Sequence, residues 1–380
     1  MFRNFAIILC PPLLFCTAAK ANTVYESSAP IAYMIDLSSG AILFDKGSDK
    51  QIPPASMAKM MSAYVVMDKI KNGGLPLNKK ITITPEIWQK WNNQGSTMFL
   101  SSGEQVTVEN LMHGMVTLSG NDASIALAVG ISGSEAAFVE EMNKTAKRIG
   151  LINSRFGTAN GWPDEGRTLV TAQDLAILAR RTIEDFPELY TKFYGRKEFS
   201  WGGITQPDRN PLLGKIAGAD GLKTGHTEEA GYCFTGTAQQ NGRRLIMVVA
   251  GLGSYNGRIT ESTNFMKWGF EAWTSKPVFK KGDAIANIPV QLGSDSSLKI
   301  TAPRDMAVTM PADKAAGYKL FIRYKGPVKA PIAKGDQVAS LVVMLNDGSE
   351  QVSPLYAGEA VTEAGFFGRA WNGFKSLFSA

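Results

Sequence analysis

Three short polar elements lie far apart in this chain of 380 residues, and a fold that uses them together must bring them to one place. They are Ser56-Met57-Ala58-Lys59, Ser119-Gly120-Asn121 and Lys223-Thr224-Gly225. The first opens a run of good helix formers that ends at Gly73-Gly74, so one helical turn places the Lys59 amine beside the Ser56 hydroxyl.

This pair has the chemistry of a nucleophile and its base. A serine hydroxyl attacks only when a base takes its proton, and a lysine can be that base when burial or a second cation lowers its pKa. Lys223 can supply the second cation. The N-terminus of the predicted helix also offers N–H groups to a developing oxyanion near Ser56. The elements together predict a serine acyl-transfer site that works without histidine.

Each element alone is a weak signal. The chain holds a second Ser-x-x-Lys at Ser296-Ser297-Leu298-Lys299, beside a Gly293 turn, where the pattern predicts a strand edge without chemistry. Asn121 or Asp122 could simply cap the helix predicted at 123–131. Lys223-Thr224-Gly225 alone fits an ordinary strand and turn. The order of the three elements, and their predicted helix and strand contexts, favour a shared site.

The surroundings of the three elements carry a family resemblance. These segments are 54–61, 119–123 and 220–227, with 95–100, 208–210 and Gly257-Arg258 as further matches. They closely resemble the low-molecular-mass penicillin-binding proteins that act as D-alanyl-D-alanine carboxypeptidases. Class A β-lactamases share the set of elements, with Asp in place of Gly120 in the middle one. The resemblance covers essentially the whole chain.

The resemblance implies a substrate and a set of roles. The expected substrate is the peptidoglycan stem pentapeptide, from which Ser56 releases the terminal D-alanine through an acyl-enzyme, and β-lactams are expected as covalent inhibitors. Lys59 is then the base, while Ser119 and Asn121 pass protons and position the peptide. The expected binding residues for the strand edge and the terminal carboxylate are Lys223, Thr224, Gly225, Arg209 and Arg258. The backbone N–H groups of Ser56 and His226 would form the oxyanion hole.

The two histidines do not indicate another mechanism. A Ser-His-Asp hydrolase would usually carry a Gly-x-Ser-x-Gly elbow, which the sequence lacks. We expect His226 to contribute its backbone and His113 to be a structural helix residue. The sequence has no His-Glu-x-x-His motif and no paired cysteines, so it does not indicate a metal site. We expect no cofactor.

Other functions remain as alternatives. A β-lactamase needs a glutamate that activates the deacylating water, and Phe186-Pro187-Glu188-Leu189-Tyr190 resembles that loop only faintly, without the expected asparagine. A D,D-endopeptidase would use the same site. A catalytically weak penicillin-binding protein that shapes the wall is a third reading, although the retention of Ser56, Lys59 and Lys223 argues against it.

The ends of the chain predict where it works. Residues 1–21 combine Arg3, an apolar run and an Ala19-Lys20-Ala21 ending, as in a cleavable secretory signal. Removal of the leader would take two of the three cysteines with it and leave Cys233, expected to be a small core residue. It would also lower the formal charge from +6 to +4. Scattered basic residues without a binding motif do not indicate nucleic acid as a partner.

Strand and helix patterns predict an α+β fold. Strands at 31–37 and 41–45, then 232–238 and 244–250 joined at Asn241-Gly242, flank helices predicted at 57–72, 108–117, 123–131, 135–149 and 172–185. We expect an antiparallel sheet covered by helices, of the β-lactamase and transpeptidase type, over residues 22–274. Alternating, strand-like runs predict a small all-β domain over 275–360.

The last segment, 361–380, predicts an amphipathic helix. One helical face collects aromatic and aliphatic side chains: Phe366, Phe367, Ala370, Trp371, Phe374, Leu377 and Phe378. Arg369 and Lys375 lie off that face. Such a helix either packs on its own protein or lies in the lipid headgroup region. We expect the second, which would anchor the protein peripherally at the periplasmic face of the inner membrane.

Overall fold

The computed structural model describes residues 24–312, 317–346 and 348–365, together with the backbone of a strand at Phe2–Ile7. The chain divides into two compact units. The larger unit contains Tyr25–Ile35 and Leu43–Gly269, and the β unit contains Asp36–Ile42 and the chain from Phe270 onward. Of the amphipathic helix predicted for 361–380, the described residues 361–365 are not helical, because Val361 and Glu363 form β-bridges with Ile332 and Gly293, and the rest lies outside the described residues.

The helices of the described residues lie in the larger unit, and only the last one extends past Gly269, to Glu271. They are α1 (Lys59–Asn72), α2 (Pro85–Trp91), α3 (Val108–Val116), α4 (Asn121–Ser132), α5 (Glu135–Arg148), α6 (Ala172–Asp185), α7 (Pro187–Phe193) and α8 (Tyr255–Glu271). A short 3-10 helix, Ala55–Ala58, leads directly into α1. The first nine residues of α1 are buried, so any polar side chain among them is held away from water.

The strands run in chain order through both units. They are β1 (Phe2–Ile7), β2 (Ile31–Asp36), β3 (Ala41–Lys46), β4 (Lys80–Thr82), β5 (Gln105–Thr107), β6 (Glu198–Trp201), β7 (Ile204–Pro207), β8 (Ala219–Thr227), β9 (Gly231–Gln240), β10 (Arg243–Leu252), β11 (Trp273–Phe279), β12 (Ala284–Gln291), β13 (Ser297–Thr301), β14 (Met306–Pro311), β15 (Tyr318–Lys325), β16 (Val328–Lys329), β17 (Gln337–Leu345) and β18 (Glu350–Tyr356).

A five-stranded sheet in the order β3-β2-β10-β9-β8 forms the centre of the larger unit. β8, β9 and β10 pair antiparallel. The β9–β10 hairpin turns at Asn241 and Gly242, both with positive φ, as the sequence predicts for this turn. α6 packs on β9 and β10, while the 3-10 helix packs on β8 and β9. β8 is an edge strand of this sheet, so its outer edge is where an added strand would pair.

The β unit confirms the prediction of an all-β domain. Its sheets have the orders β1-β15-β17-β18, β13-β12-β16 and β11-β14. Alternating residues of these strands form one apolar core that includes Leu298, Ile300, Val308 and Leu355. The second Ser-x-x-Lys segment overlaps β13, as predicted. β1 lies within the predicted leader, and the cleavable signal at 1–21 stays a prediction.

All five helices predicted for residues 22–274 are present, and two of them begin at shifted positions that affect the site. The helix predicted from residue 57 begins at Lys59, because Ala55–Ala58 forms the tighter 3-10 turn. The helix predicted from 123 begins at Asn121, with Gly120 at its N-cap and no side-chain cap. The alternative of Asn121 or Asp122 as a simple cap is wrong, because the Asn121 side chain binds Lys59, and the Asp122 carboxylate, which accepts from the Ala123 N–H, also binds Thr97 and Met98. Helices α2, α7 and α8 were not predicted.

No single helix among the described residues is long and apolar enough to cross a membrane. α4 and α5 pass that test only as a pair, and they are bent by 87° relative to each other.

Candidate active site

One cleft of about 380 Å³ in the larger unit collects most of the predicted site residues. Seven of them line it: Ser56, Ser119, Asn121, Arg209, Thr224, His226 and Arg258. Lys59 contacts Ser56 directly, and Lys223 and Gly225 flank Thr224 on β8. The fold therefore brings together residues from α1, α4, β8 and α8, the farthest of which, Ser56 and Arg258, lie 202 positions apart.

The Lys59 amine has three partners. Its Nζ lies 2.9 Å from Ser56 Oγ, 2.8 Å from Asn121 Oδ1 and 2.7 Å from the backbone oxygen of Asn160. Asn160 was not among the predicted residues. Because it acts through its backbone, the side-chain chemistry read from a sequence gives no signal for it.

The identity of these partners decides how a neutral Lys59 would be oriented. The Asn160 carbonyl can only accept, and Asn121 Oδ1 also accepts because its Nδ2 donates to the Gln94 carbonyl at 2.8 Å. A neutral amine has two hydrogens, which these two acceptors would take. Its lone pair would then face Ser56, the one partner of the three that can donate a proton.

The surroundings of Lys59 favour its neutral form. Burial lowers the pKa of Lys59 well below its usual value, and the positive charges of Lys223 and Arg209 lower that pKa further. The side chain is only 1% exposed. The helix geometry that places Lys59 beside Ser56 thus also removes it from water.

Asp122 organises one wall of the cleft and was seen in the sequence only as a possible cap. It is buried, and its carboxylate accepts from Thr97 Oγ1 at 2.6 Å and from the backbone N–H groups of Met98 and Leu100. These bonds fix the segment that carries Gly95 and Ser96, two lining residues of the cleft. The carboxylate holds the wall and leaves Asn121 free to bind Lys59.

Two residues beside the catalytic groups have left-handed backbones without being glycine. Ser119 has φ of 65° and Ala55, which precedes Ser56, has φ of 47°. Such conformations cost energy and occur preferentially at functional sites. Here the turn at Ser119 leads directly into α4, whose first residue is Asn121.

β8 approaches the nucleophile closely because residue 225 has no side chain. A Cβ on Gly225 would lie 2.6 Å from the Pro54 carbonyl and 3.3 Å from Ala55 Cβ. Gly225 pairs with Cys233 in the β8–β9 register, and Lys223 pairs with Thr235. The glycine of this element therefore permits the contact between β8 and the turn that carries Ser56.

Two arginine side chains, Arg209 and Arg258, bring positive charge to the cleft. Arg209 Nη1 donates to Ser96 Oγ, and Arg258 Nη1 donates to the Gly225 carbonyl at 3.3 Å. The Arg258 guanidinium lies over the rings of Tyr232 and Tyr255, at 5.5 and 5.1 Å from their centroids. Such a cluster suits a carboxylate ligand.

Buried Lys223 and half-buried Asp208 form an interacting pair that the sequence did not single out. Burial lowers the pKa of Lys223, and the charge of Asp208 opposes this shift. Burial raises the pKa of Asp208, against the effect of Lys223. Asp208 thus offsets part of the loss of positive charge that burial causes at Lys223, one of the cations that act on Lys59.

His226 is exposed and its ring stacks on Tyr232, with centroids 3.9 Å apart. This places its backbone on β8 next to Gly225, where the predicted oxyanion donor would be. His113 lies instead in α3, buried against Phe193 and Phe199, as expected for a structural residue.

Cys233 and Glu188 also lie away from the chemistry. Cys233 is buried, and burial raises the pKa of its thiol to about 11, so it remains an inert core residue. Glu188 is exposed on α7 and is absent from the residues that line the cleft. The faint resemblance of 186–190 to a β-lactamase loop therefore has no counterpart in the site.

Comparisons with known proteins identify the family of this chain. The profile of the peptidase S11 family, D-alanyl-D-alanine carboxypeptidase, matches residues 17–253. The chain belongs to the D-alanyl-D-alanine carboxypeptidase family. A second profile, the C-terminal domain of penicillin-binding protein 5, matches residues 273–363. The predicted family and the α+β fold followed by an all-β domain are thereby confirmed.

Individual relatives span nearly the whole chain. The D-alanyl-D-alanine carboxypeptidase DacA of Haemophilus influenzae is 37% identical over 363 residues, covering 93% of this chain and 91% of the relative. The crystal structure of penicillin-binding protein 5 from Haemophilus influenzae has a TM-score of 0.72 at 36% identity, covering 90% of this chain and 99% of that one.

A shorter relative has been solved with a β-lactam. Penicillin-binding protein D2 from Listeria monocytogenes, in its ampicillin-bound form, has a TM-score of 0.56 at 31% identity. It covers 65% of this chain and 99% of its own.

Proposed function

We propose that this protein is a serine-type carboxypeptidase that removes the terminal D-alanine from peptidoglycan stem pentapeptides. The observation that carries the proposal is the arrangement at Lys59, whose amine contacts Ser56 and two obligate acceptors. Membership of the D-alanyl-D-alanine carboxypeptidase family supports the substrate class.

Acylation begins at Ser56. Neutral Lys59 takes the proton of the Ser56 hydroxyl while Oγ attacks the carbonyl carbon of the penultimate D-alanine. The bond between that carbon and the nitrogen of the last residue then breaks. The proton on Lys59 passes to the leaving amine, by way of Ser119 in our proposal, and D-alanine departs. The acyl group remains on Ser56 as an ester.

Deacylation uses the same groups with water in place of serine. Lys59, neutral again, takes a proton from a water molecule whose oxygen attacks the ester carbon. The bond to Ser56 Oγ breaks, the serine recovers its proton, and the tetrapeptide leaves. A bound β-lactam would enter the same first step, with its ring amide as the bond that breaks.

Backbone and cationic groups supply the remaining stabilisation. We assign the oxyanion hole to the N–H groups of Ser56 and His226, because β8 passes beside the nucleophile at Gly225. The substrate carboxylate is assigned to Lys223, Thr224 and the two arginines, Arg209 and Arg258. A free carboxylate one residue beyond the scissile bond requires such partners.

Location and domain roles are part of the proposal. The family acts on the cell wall, which supports a periplasmic location. We propose a leader at 1–21, a catalytic domain over 22–274, a β-rich spacer over 275–360 and a membrane-surface helix within 366–380. The seven lining residues from the predicted set all fall within 22–274.

The test combines labelling with product analysis. Fluorescent penicillin should label the wild-type protein, and a pentapeptide should yield free D-alanine. Ser56→Ala should abolish both while leaving the thermal unfolding temperature close to that of the wild type. Ser296→Ala, in the second Ser-x-x-Lys segment, is the matched control and should behave as wild type.

Two results would contradict the proposal. Labelled protein recovered from Ser56→Ala would place the nucleophile elsewhere. Cleavage of crosslinked peptide dimers into monomers, without D-alanine release from pentapeptide, would assign the site to an endopeptidase instead.

A further inference from the structure

Glu261, a buried residue of α8, binds a segment that lies 233 to 236 positions earlier in the chain. Tyr25 Oη donates to Glu261 Oε1 at 3.1 Å, and Ser27 Oγ donates to the same oxygen at 2.6 Å. The N–H and Oγ of Ser28 donate to Oε2 at 3.2 and 2.6 Å. Residues 25–28, the clamp, thus attach to one carboxylate through four hydrogen bonds.

The Tyr25 ring attaches the clamp to the same helix a second time. It stacks on Phe265 with centroids 5.0 Å apart, and it lies 5.2 Å from the Trp268 ring and 5.8 Å from Phe44 of β3. Phe265 and Trp268 follow Glu261 at intervals of four and three residues, so the three side chains share one face of α8. The clamp therefore covers about two turns of this helix.

Glu261 carries a charge at a position where packing alone would not require one. In the part of the chain that the structure describes, no lysine or arginine pairs with its carboxylate. A buried charge is costly to keep, and apolar side chains often stabilise such a position equally well. Directed hydrogen bonds, however, fix the rotation and the axial position of a helix. The contact is therefore better suited to positioning α8 than to stabilising it.

Arg258, which lines the cleft, lies on α8 one turn before the clamped carboxylate. Its Nη1 is 3.3 Å from the Gly225 carbonyl and 3.5 Å from the Cys233 carbonyl, and its buried Nε has no hydrogen-bond partner among the described residues. The rings of Tyr232 and Tyr255 pack on the guanidinium without donating or accepting a hydrogen bond there. The place of the guanidinium thus depends largely on where α8 carries it.

We propose that Glu261 is a positioning residue for recognition of the substrate carboxylate, because it fixes α8 to the clamp and thereby holds Arg258 in the cleft. Without this contact α8 can shift or turn, and the contact between Arg258 and the carboxylate weakens. Ser56 and Lys59 lie outside α8 and keep their places. This inference rests on the proposed carboxypeptidase function, in which Arg258 binds the free carboxylate.

The first test separates acylation from deacylation. The carboxylate leaves with D-alanine, so only the steps up to acylation should depend on Arg258. With an acylated L-lysyl-D-alanyl-D-alanine, Glu261→Gln should lower kcat/KM for D-alanine release by about fivefold, the scale of one weakened charge-assisted hydrogen bond. The deacylation rate, followed by rapid quench, should be unchanged. Glu271→Gln, at the exposed end of the same helix, is the matched control and should behave as wild type.

The second test is a double-mutant cycle with Arg258. Arg258→Gln should itself lower kcat/KM. Adding Glu261→Gln to that variant should change kcat/KM by less than about twofold, because the side chain that Glu261 positions is already gone. Equal effects of Glu261→Gln in both backgrounds would show that Glu261 acts on the fold in general, and would overturn the inference.

A milder variant covers the case in which Glu261→Gln does not fold. Tyr25→Phe combined with Ser28→Ala removes side-chain donors of the clamp but keeps the ring on Phe265. It should lower kcat/KM in the same direction, with deacylation unchanged, and should take the place of Glu261→Gln in the cycle. Unchanged kcat/KM in this variant would also overturn the inference. Absence of D-alanine release from the wild type would instead overturn the proposed function.

Discussion

The Lys59 amine lies 2.9 Å from the Ser56 hydroxyl, on a side chain that has almost no contact with solvent. The two residues lie three positions apart, yet the contact depends on Asn121 and on the backbone of Asn160, which orient the amine from two other parts of the chain. The spacing of three residues allows Lys59 to contact Ser56, and the two distant acceptors orient the lone pair of the Lys59 amine.

Lys59→Arg tests whether this lysine is the base. An arginine keeps the positive charge but does not give up its proton at accessible pH. We expect kcat/KM to fall by a factor on the order of 10² or more, the usual contribution of a general base. Lys299→Arg, in the second Ser-x-x-Lys segment, should leave kcat/KM unchanged. Activity of Lys59→Arg within tenfold of the wild type would exclude the role.

The pH dependence of kcat/KM gives a separate test of Lys59. Only the neutral amine can accept a proton, so activity should rise as pH increases through the pKa of Lys59. Since burial and nearby cations lower that pKa, the midpoint should lie well below the value of an ordinary lysine. Arg209→Gln removes one of these cations and should move the midpoint to higher pH. An unmoved midpoint would show that Arg209 does not act on Lys59.

Gly225→Ala should separate β8 from the nucleophile. The added Cβ would lie 2.6 Å from the Pro54 carbonyl, so the strand or the Ser56 turn must shift. We expect a loss of acylation rate of about 10²-fold, because small misplacements of reacting groups have effects of this size. Gly253→Ala is the control, since no heavy atom lies within 4 Å of its added Cβ. Equal rates of penicillin labelling in the two variants would contradict the role of the close approach.

His113 should make the folded protein sensitive to mild acid. Burial lowers the pKa of His113 from 6.5 to about 4, with Arg196 as a further cause. Because the folded-state pKa is depressed, the unfolded chain binds the proton first, so stability present above pH 6.5 is lost as pH falls toward 4. The loss should be on the order of 1 to 3 kcal/mol.

His113→Phe supplies the comparison for this prediction. A phenylalanine retains an aromatic ring between Phe193 and Phe199 but cannot bind a proton. Its unfolding free energy, from urea titrations at pH 7 and pH 4, should vary less with pH than that of the wild type. Parallel pH dependences in the two proteins would assign the acid sensitivity to other groups.

The tail prediction concerns location alone. Truncation after Gly365 keeps the backbone bond from Ala364 to Leu292 and removes the proposed membrane helix. The shortened protein should move from the membrane fraction to the soluble fraction and still hydrolyse a short soluble peptide. In the full chain, serine at Trp371 and Phe374 should also release it, because each buried large apolar side chain contributes roughly 1.5 to 3 kcal/mol. A truncated protein that stays with the membrane would refute the anchor.

The sequence predicted the reactive side chains better than the groups that orient them. Ser56, Asn121 and Thr224 were found because their side-chain types form a recognisable ordered set. Asn160 was missed because its backbone oxygen contacts Lys59, and any residue type has such an oxygen. Asp122 was given a capping role because its position at the start of a helix favours one, whereas its carboxylate holds the segment 97–100.

Helix boundaries were predicted less well for similar reasons. The 3-10 turn at Ala55–Ala58 depends on contacts with β8 and β9, which local propensity does not report. α8 was missed although it carries Arg258, because Gly257 and Gly269 weaken its helical pattern. The β9–β10 hairpin was predicted correctly because Asn241-Gly242 determines its turn locally.

The acceptors of Lys59 lie 62 and 101 residues away along the chain. A partly folded molecule that has formed only its local helices therefore has a lysine without a fixed direction and a serine of ordinary reactivity. Brief exposure to fluorescent penicillin during refolding would mark only the molecules in which these long-range contacts have formed. The labelled fraction, measured as the fluorescence of one band on a gel, would then report how fast the native state forms.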